Sequence, residues 1–127
     1  MICGLAFVEI VVNDFDAMVN CYVQELGFKQ GKADNNEDGR WCQLVTPDGQ
    51  ALIALWEPSD PLQKPDPAGR TRPCFLPIFK VRDICLLVNK LKTSGKIKIL
   101  EEIRRRPKYW ITTIADPEGN HLQLYEE

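Results

Sequence analysis

The feature that most limits what this chain can fold into is an internal repeat. Val12-Asn13-Asp14 recurs as Val81-Arg82-Asp83, 69 residues on. Pro47-Asp48-Gly49 recurs as Pro117-Glu118-Gly119, 70 residues on. Between these landmarks each half carries the same succession. An apolar β-branched run leads to an Asp of helix-capping type, then to a helical stretch closed by Gly, and finally to strand-like runs around a Pro-x-Gly turn. Chance could supply one such match; four in the same order indicate a duplicated unit.

In the first half, Phe7–Val12 reads as a strand and Asp14 as a helix cap. Met18, Tyr22 and Leu26 recur at helical spacing, with Cys21 and Glu25 beside them, and Gly27 is the stop. Residues 28–39 read as a short strand plus a loop. Trp41–Val45 and Ala51–Trp56 read as strands about the turn Thr46–Gly49. In the second half, Phe75–Val81 is a strand and Asp83 caps a helix with an apolar stripe of Leu86, Leu87 and Leu91, ended by Gly95. Strands follow over Ile97–Ile103, Lys108–Ala115 and His121–Tyr125. The expected organisation is one domain, 1–127, with modules at 1–56 and 74–127 and a proline-rich linker at 57–73.

Composition narrows the function classes. A net charge of -2 argues against a surface built to coat nucleic acid or an anionic membrane. No apolar run is long enough to span a bilayer. The apolar start lacks a preceding basic residue and is broken by Glu9, so it reads as a strand and not a secretion signal. Five cysteines, with no C-x-x-C spacing, read as reduced and mostly buried thiols of a cytoplasmic protein.

The motifs carry a resemblance. Val12-Asn-Asp14 followed by Tyr22-x-x-x-Leu26-Gly27-Phe28, and Asp116-Pro-Glu-Gly-Asn120 before Leu122 and Leu124, resemble the vicinal oxygen chelate superfamily, which includes glyoxalases, bleomycin resistance proteins and dioxygenases. The resemblance covers nearly the whole chain. It implies an α+β fold of two tandem βαβββ modules whose curved mixed sheets enclose a shared pocket, with the helices on the convex faces. It also implies a homodimer.

Metal-dependent members hold a divalent cation with one side chain from the first and one from the last strand of each module. Transferred through the helix-opening Asp and the turn Gly, those positions are Phe7, Ile53, Leu76 and Gln123. Three apolar side chains and one neutral amide cannot repay the dehydration of such a cation. The expectation is therefore no metal and no cofactor.

Strand alternation from Phe7 places Glu9 and Val11 on the pocket side with Ile53, Leu55, Leu76, Ile78, Lys80, His121, Gln123 and Tyr125, and puts Trp56 on the helix side. Trp41, Gln43, Trp110 and Thr112 are harder to phase; of these Trp110 is taken as a ligand contact. An apolar, aromatic surface with a few polar groups suits a small organic ligand, aromatic or cationic, as in drug-sequestering and antibiotic-resistance proteins of this family. The alternative is a lyase, isomerase or dioxygenase-like enzyme using Glu9 as general base. Each residue has a plainer role too: Glu9 and Lys80 as an ion pair, His121 as a solvated turn residue, Tyr125 as an edge cap. The basic run Arg104-Arg105-Arg106 with Lys108 reads as a solvated loop.

Overall fold

Each half builds a mixed sheet with one helix, and the two sheets use the same strand plan. The computed structural model describes residues 1–66 and 75–127; Cys74 and residues 67–73 of the expected linker lie outside them. The chain divides into two units, Met1–Asp66 and Pro67–Glu127.

In the first unit β1 is Val8–Val11, α1 Phe15–Gln24, β2 Lys29–Asn36, β3 Gly39–Val45 and β4 Ile53–Pro58. The sheet order is β1-β4-β3-β2, with β1 parallel to β4 and the other pairs antiparallel. A short 3-10 turn, Pro61–Gln63, follows. In the second unit β5 is Ile78–Lys80, α2 Ile84–Ser94, β6 Lys98–Ile99, β7 Arg104–Arg106, β8 Tyr109–Ala115 and β9 His121–Glu126. Here the order is β5-β9-β8-β6, and β7 also pairs with β8. The α+β reading and the βαβββ plan of each module hold. The boundaries move: β4 continues through Glu57 and Pro58, residues expected in the linker; of the expected strand at Ile97–Ile103 only Lys98–Ile99 forms one, and a separate short strand, Arg104–Arg106, stands where a loop was expected.

Both helices begin where a capping Asp was expected. The Asp14 carboxylate accepts from Ala17 N at 3.1 Å, and that of Asp83 from Leu86 N at 3.1 Å, satisfying first-turn donors. α1 buries Phe15, Met18, Cys21 and Tyr22. Gly27, at φ 80°, then turns the chain so that the Phe28 amide reaches Tyr22 O. In α2 the buried stripe is Ile84, Val88 and Leu91, at helical spacing. This corrects the expected stripe, because Leu86 is 66% exposed.

The register makes the duplication quantitative. Glu9 pairs with Ala54 and Val11 with Trp56; moving every number by 69 gives Ile78 with Gln123 and Lys80 with Tyr125, as observed. The β2–β3 and β7–β8 hairpins instead match at 70: Asp34–Trp41 corresponds to Arg104–Ile111. The first unit therefore has one extra residue between its turn glycine and its last strand.

Candidate functional site

That extra residue decides which side chains face which way. In the second unit Leu122 and Leu124 are buried on the side α2 covers, while His121, Gln123 and Tyr125 alternate to the open side and are half-buried. By register the first-unit equivalents of Leu122 and Leu124 are Ile53 and Leu55, which are 2% and 0% exposed. They pair with Leu44 and Cys42, both fully buried on the α1 side. Ile53 and Leu55 thus face the helix, which corrects the expected phasing; a one-residue slip turns every side chain of a strand over. Trp56, expected under the helix, stands instead on the open side, and Ala54 is the equivalent of Gln123.

The open face of the first sheet carries Glu9 and Val11 from β1, Ala54 and Trp56 from β4, and Trp41 and Gln43 from β3. Trp41 lies directly across from Trp56 in the β3–β4 ladder. Phe7 just precedes β1, yet its ring meets Trp41 with centroids 5.6 Å apart and planes at 56°. β1 and β3 flank β4, so the two rings meet across β4, where the short side chain of Ala54 leaves room. Glu9 is exposed beside them and has no ion-pair partner among the described residues. Gln43 Oε1 accepts from Lys32 N at 3.4 Å.

The open face of the second sheet is more polar. Gln123 Nε2 donates to Thr113 Oγ1 at 3.2 Å, and Thr113 donates to Glu101 Oε1 at 2.9 Å. The other oxygen of Glu101 lies 3.3 Å from Arg104 Nε. Alongside, the Tyr109 and Tyr125 rings are 5.6 Å apart. The Tyr125 hydroxyl donates to Glu127 Oε1 at 2.6 Å, which also takes Lys80 Nζ at 3.7 Å. That bond holds the phenol above its ordinary ionisation range and the Glu127 carboxyl below its own. Lys80 and Ile78 are exposed on this face. Leu76, 39% exposed, precedes β5 and belongs to no strand.

Trp110 is corrected as well. It pairs with Glu126 and shares the parity of Thr112 and Ile114, so it stands on the helix side of the sheet, where the Arg105 guanidinium lies 5.0 Å over its ring. Thr112 is fully buried on that side and donates to Glu101 O at 2.9 Å. Residues the sequence reading missed on the open side are Trp56, Thr113, Ile111 and Tyr109. One signal could have found Trp56. Trp56-Glu57 and Tyr125-Glu126 are both aromatic–Glu pairs, 69 residues apart, and they reveal the shift that the turn glycines conceal.

With this geometry in place, the metal positions can be restated. The first module offers Phe7 and Ala54, and the second Leu76 and Gln123. A phenyl ring, a methyl group and an isobutyl group hold no lone pair for a cation, and the Gln123 amide alone is neutral. This donor set does not fit a divalent metal. Among the described residues no group of three or more His, Cys, Asp or Glu side chains is placed to hold one.

Comparison with known proteins supplies the family. The profile of the Glyoxalase/Bleomycin resistance protein/Dioxygenase superfamily matches residues 4–124. The chain belongs to that superfamily. No curated protein matches the sequence. Solved structures share its fold at low identity. A glyoxalase family protein from Bacillus cereus is 24% identical, with a TM-score of 0.81 over 100% of this chain and 95% of its own. A glyoxylase/bleomycin resistance protein/dioxygenase domain from Frankia sp. EAN1pec is 22% identical, with a TM-score of 0.76 over 99% of this chain and 93% of its own. TnmS3, an antibiotic binding protein from Streptomyces sp. CB03234, is 18% identical, with a TM-score of 0.70 over 99% and 98%. As a superfamily member, this chain keeps the module architecture while its counterpart positions carry side chains of a different chemistry. No helix among the described residues is long and apolar enough to cross a membrane.

Proposed function

We propose that the chain is a small-molecule-binding protein that takes a flat organic ligand without a metal. The observation that carries this reading is the Phe7–Trp41 ring pair. It occupies the part of the first sheet where a metal-dependent superfamily member would place its ligands. Trp56 extends it on the same face and Gln43 and Glu9 supply polar groups at its margin. Rings already held by packing lose little freedom when a flat body stacks on them. On the second sheet, taken by itself, His121, Gln123 and Tyr125 with Lys80 and Ile78 are proposed ligand contacts of that sheet's own open face. Sequestration needs only shape, stacking and hydrogen bonds, and these residues provide them. The described cysteines, Cys3, Cys21, Cys42 and Cys85, are all free thiols, which supports a reducing cytoplasmic setting.

Tryptophan fluorescence titration with bleomycin and with mitomycin C tests the reading. Trp41→Ala is expected to weaken a binding drug by at least about tenfold, the loss of one stacking contact of about 1.4 kcal/mol. Dialysis against Zn²⁺, Ni²⁺ or Mn²⁺ followed by metal analysis is expected to leave far less than one ion per chain. One tightly held ion per chain refutes the metal-free reading, and a drug affinity indifferent to Trp41 refutes the ring-pair assignment.

A further inference from the structure

The open face of the second sheet sets cations on either side of an aromatic pair. The registers align Lys80 of β5 with Tyr125 of β9, Tyr125 with Ile111 of β8, and Ile111 with Arg104 of β7. Residues opposite one another in a ladder share a face, so these four form one row across the sheet. One step along, Arg106 stands opposite Tyr109, whose ring meets that of Tyr125 with centroids 5.6 Å apart. Both tyrosines are half-buried, while Lys80 and Arg106 are exposed. Arg104 is engaged by Glu101, whereas Arg106 forms no ion pair among the described residues.

A carboxylate already sits on this face. Glu127, just beyond β9, turns its side chain back so that Oε1 accepts from the Tyr125 hydroxyl at 2.6 Å and lies 3.7 Å from Lys80 Nζ. The Lys80 and Glu127 side chains are 70% and 62% exposed, so this ion pair is weak and exchangeable. A carboxylate attached to a flat ring can take the same two donors. It also adds packing against the tyrosine rings, which the alkyl stem of a glutamate does not supply. The first module lacks this arrangement. By the duplicated register Lys80 corresponds to Val11, Arg106 to Asn36, Arg104 to Asp34 and Tyr109 to Gly39. The cations therefore belong to the second module alone and are not demanded by the shared strand plan.

We propose that the open face of the second sheet binds aromatic carboxylates. The flat body packs against the Tyr109–Tyr125 rings, and its carboxylate displaces that of Glu127 from Lys80 and the Tyr125 hydroxyl. Arg106 adds attraction from the other side of the ring pair. This deepens the small-molecule reading given above, on which it rests, by naming the charge of the ligand that the second sheet takes. Glu127 is then an internal competitor that lowers the affinity of the site without closing it.

Amide NMR titration of the full chain with 2-naphthoate, and with the uncharged 2-naphthamide as control, provides the test. Naphthoate is expected to bind with a dissociation constant of about 1 mM or tighter and to shift the amides of Tyr109, Ile111 and Tyr125. It should bind at least about threefold more tightly than naphthamide, a preference that fades as salt is raised from about 0.05 M to about 0.5 M. Lys80→Met, which keeps the apolar stem, should weaken naphthoate about threefold and leave naphthamide unchanged. Glu127→Gln should tighten naphthoate about two- to fivefold, because the competing carboxylate is gone. Both side chains are exposed, and circular dichroism verifies that each variant folds; the wild-type preference and its salt dependence test the proposal without any variant. Equal affinity for naphthoate and naphthamide overturns it, as does a Glu127→Gln protein that binds naphthoate no better than wild type. Naphthoate shifts confined to amides around Phe7 and Trp41, or no naphthoate binding where a drug still binds through Trp41, overturn it while leaving the ring-pair reading of the first sheet intact.

Discussion

Glu126 makes a sharp test of how the second module is held together. Its carboxylate accepts from Asp83 N at 2.7 Å and from Ile84 N at 2.9 Å, at the start of α2, where backbone donors lack intrahelical partners. Asp83 sits at φ 51°, in the left-handed region. That conformation is costly for most residues and accessible to Asp. A charged hydrogen bond contributes about 1.5–3 kcal/mol when well sheltered, and Glu126 is only half-buried, so the low end applies to each. Glu126→Gln keeps one acceptor and loses the charge that opposes the helix dipole, for an expected cost of about 1–2 kcal/mol. Glu126→Ala removes both bonds, for about 2–3 kcal/mol. The first module contains its own control. Glu57, the equivalent residue, accepts among the described residues from Phe15 N alone, at 2.9 Å, so Glu57→Gln should cost less than Glu126→Gln. Urea unfolding followed by circular dichroism measures all three, and amide exchange at Asp83 and Ile84 locates the effect. Glu126→Ala within about 0.5 kcal/mol of wild type would refute the reasoning. A larger loss at Glu57 than at Glu126 would do the same.

Three further outcomes are expected. A Cβ at Gly39 would lie 2.2 Å from Glu57 O, a backbone atom that cannot move aside, and φ there is 146°. Gly39→Ala should therefore lose at least about 2 kcal/mol in urea unfolding, and a neutral result would contradict the β3–β4 geometry. Cys3 and Cys85 are exposed, whereas Cys21 and Cys42 are buried and burial raises the Cys42 thiol pKa. Peptide mapping after brief alkylation of the native protein should find label at Cys3 and Cys85, and at Cys21 and Cys42 only after denaturation. Asp16 receives two 2.9 Å hydrogen bonds from Arg40, which hold its carboxyl below the usual carboxylate range. A depressed folded value means the contribution is full above the unfolded pKa and fades as pH falls through the folded one. The stability difference between wild type and Asp16→Asn should thus be present at pH 7 and shrink below about pH 4; a difference that grows on acidification would reverse the sign of the argument.

Much of this molecule was legible along the chain. Asp14 and Asp83 announced both helix starts, the Pro-x-Gly turns announced both final hairpins, and the shared spacing announced the duplicated module. These are local signals, written in capping chemistry and turn conformation, and a linear reading captures them. The absence of metal-type donors was also readable, because Phe7 and Leu76 are apolar under any phasing of the last strands. The orientation of β4 was not. It depends on one residue added between Gly49 and the strand, and pairing with β1 and β3 decides how that residue is absorbed. With side chains alternating at every step, this single choice buried Ile53 and Leu55 under the helix and turned Trp56 outward. Glu57 and Glu126 were invisible for a related reason: each caps a helix more than forty positions away in sequence, a partnership that exists only once the parallel strands have formed. The sequence by itself determined the module and its repetition. Tertiary pairing alone decided which face of each strand meets the helix and which is left open.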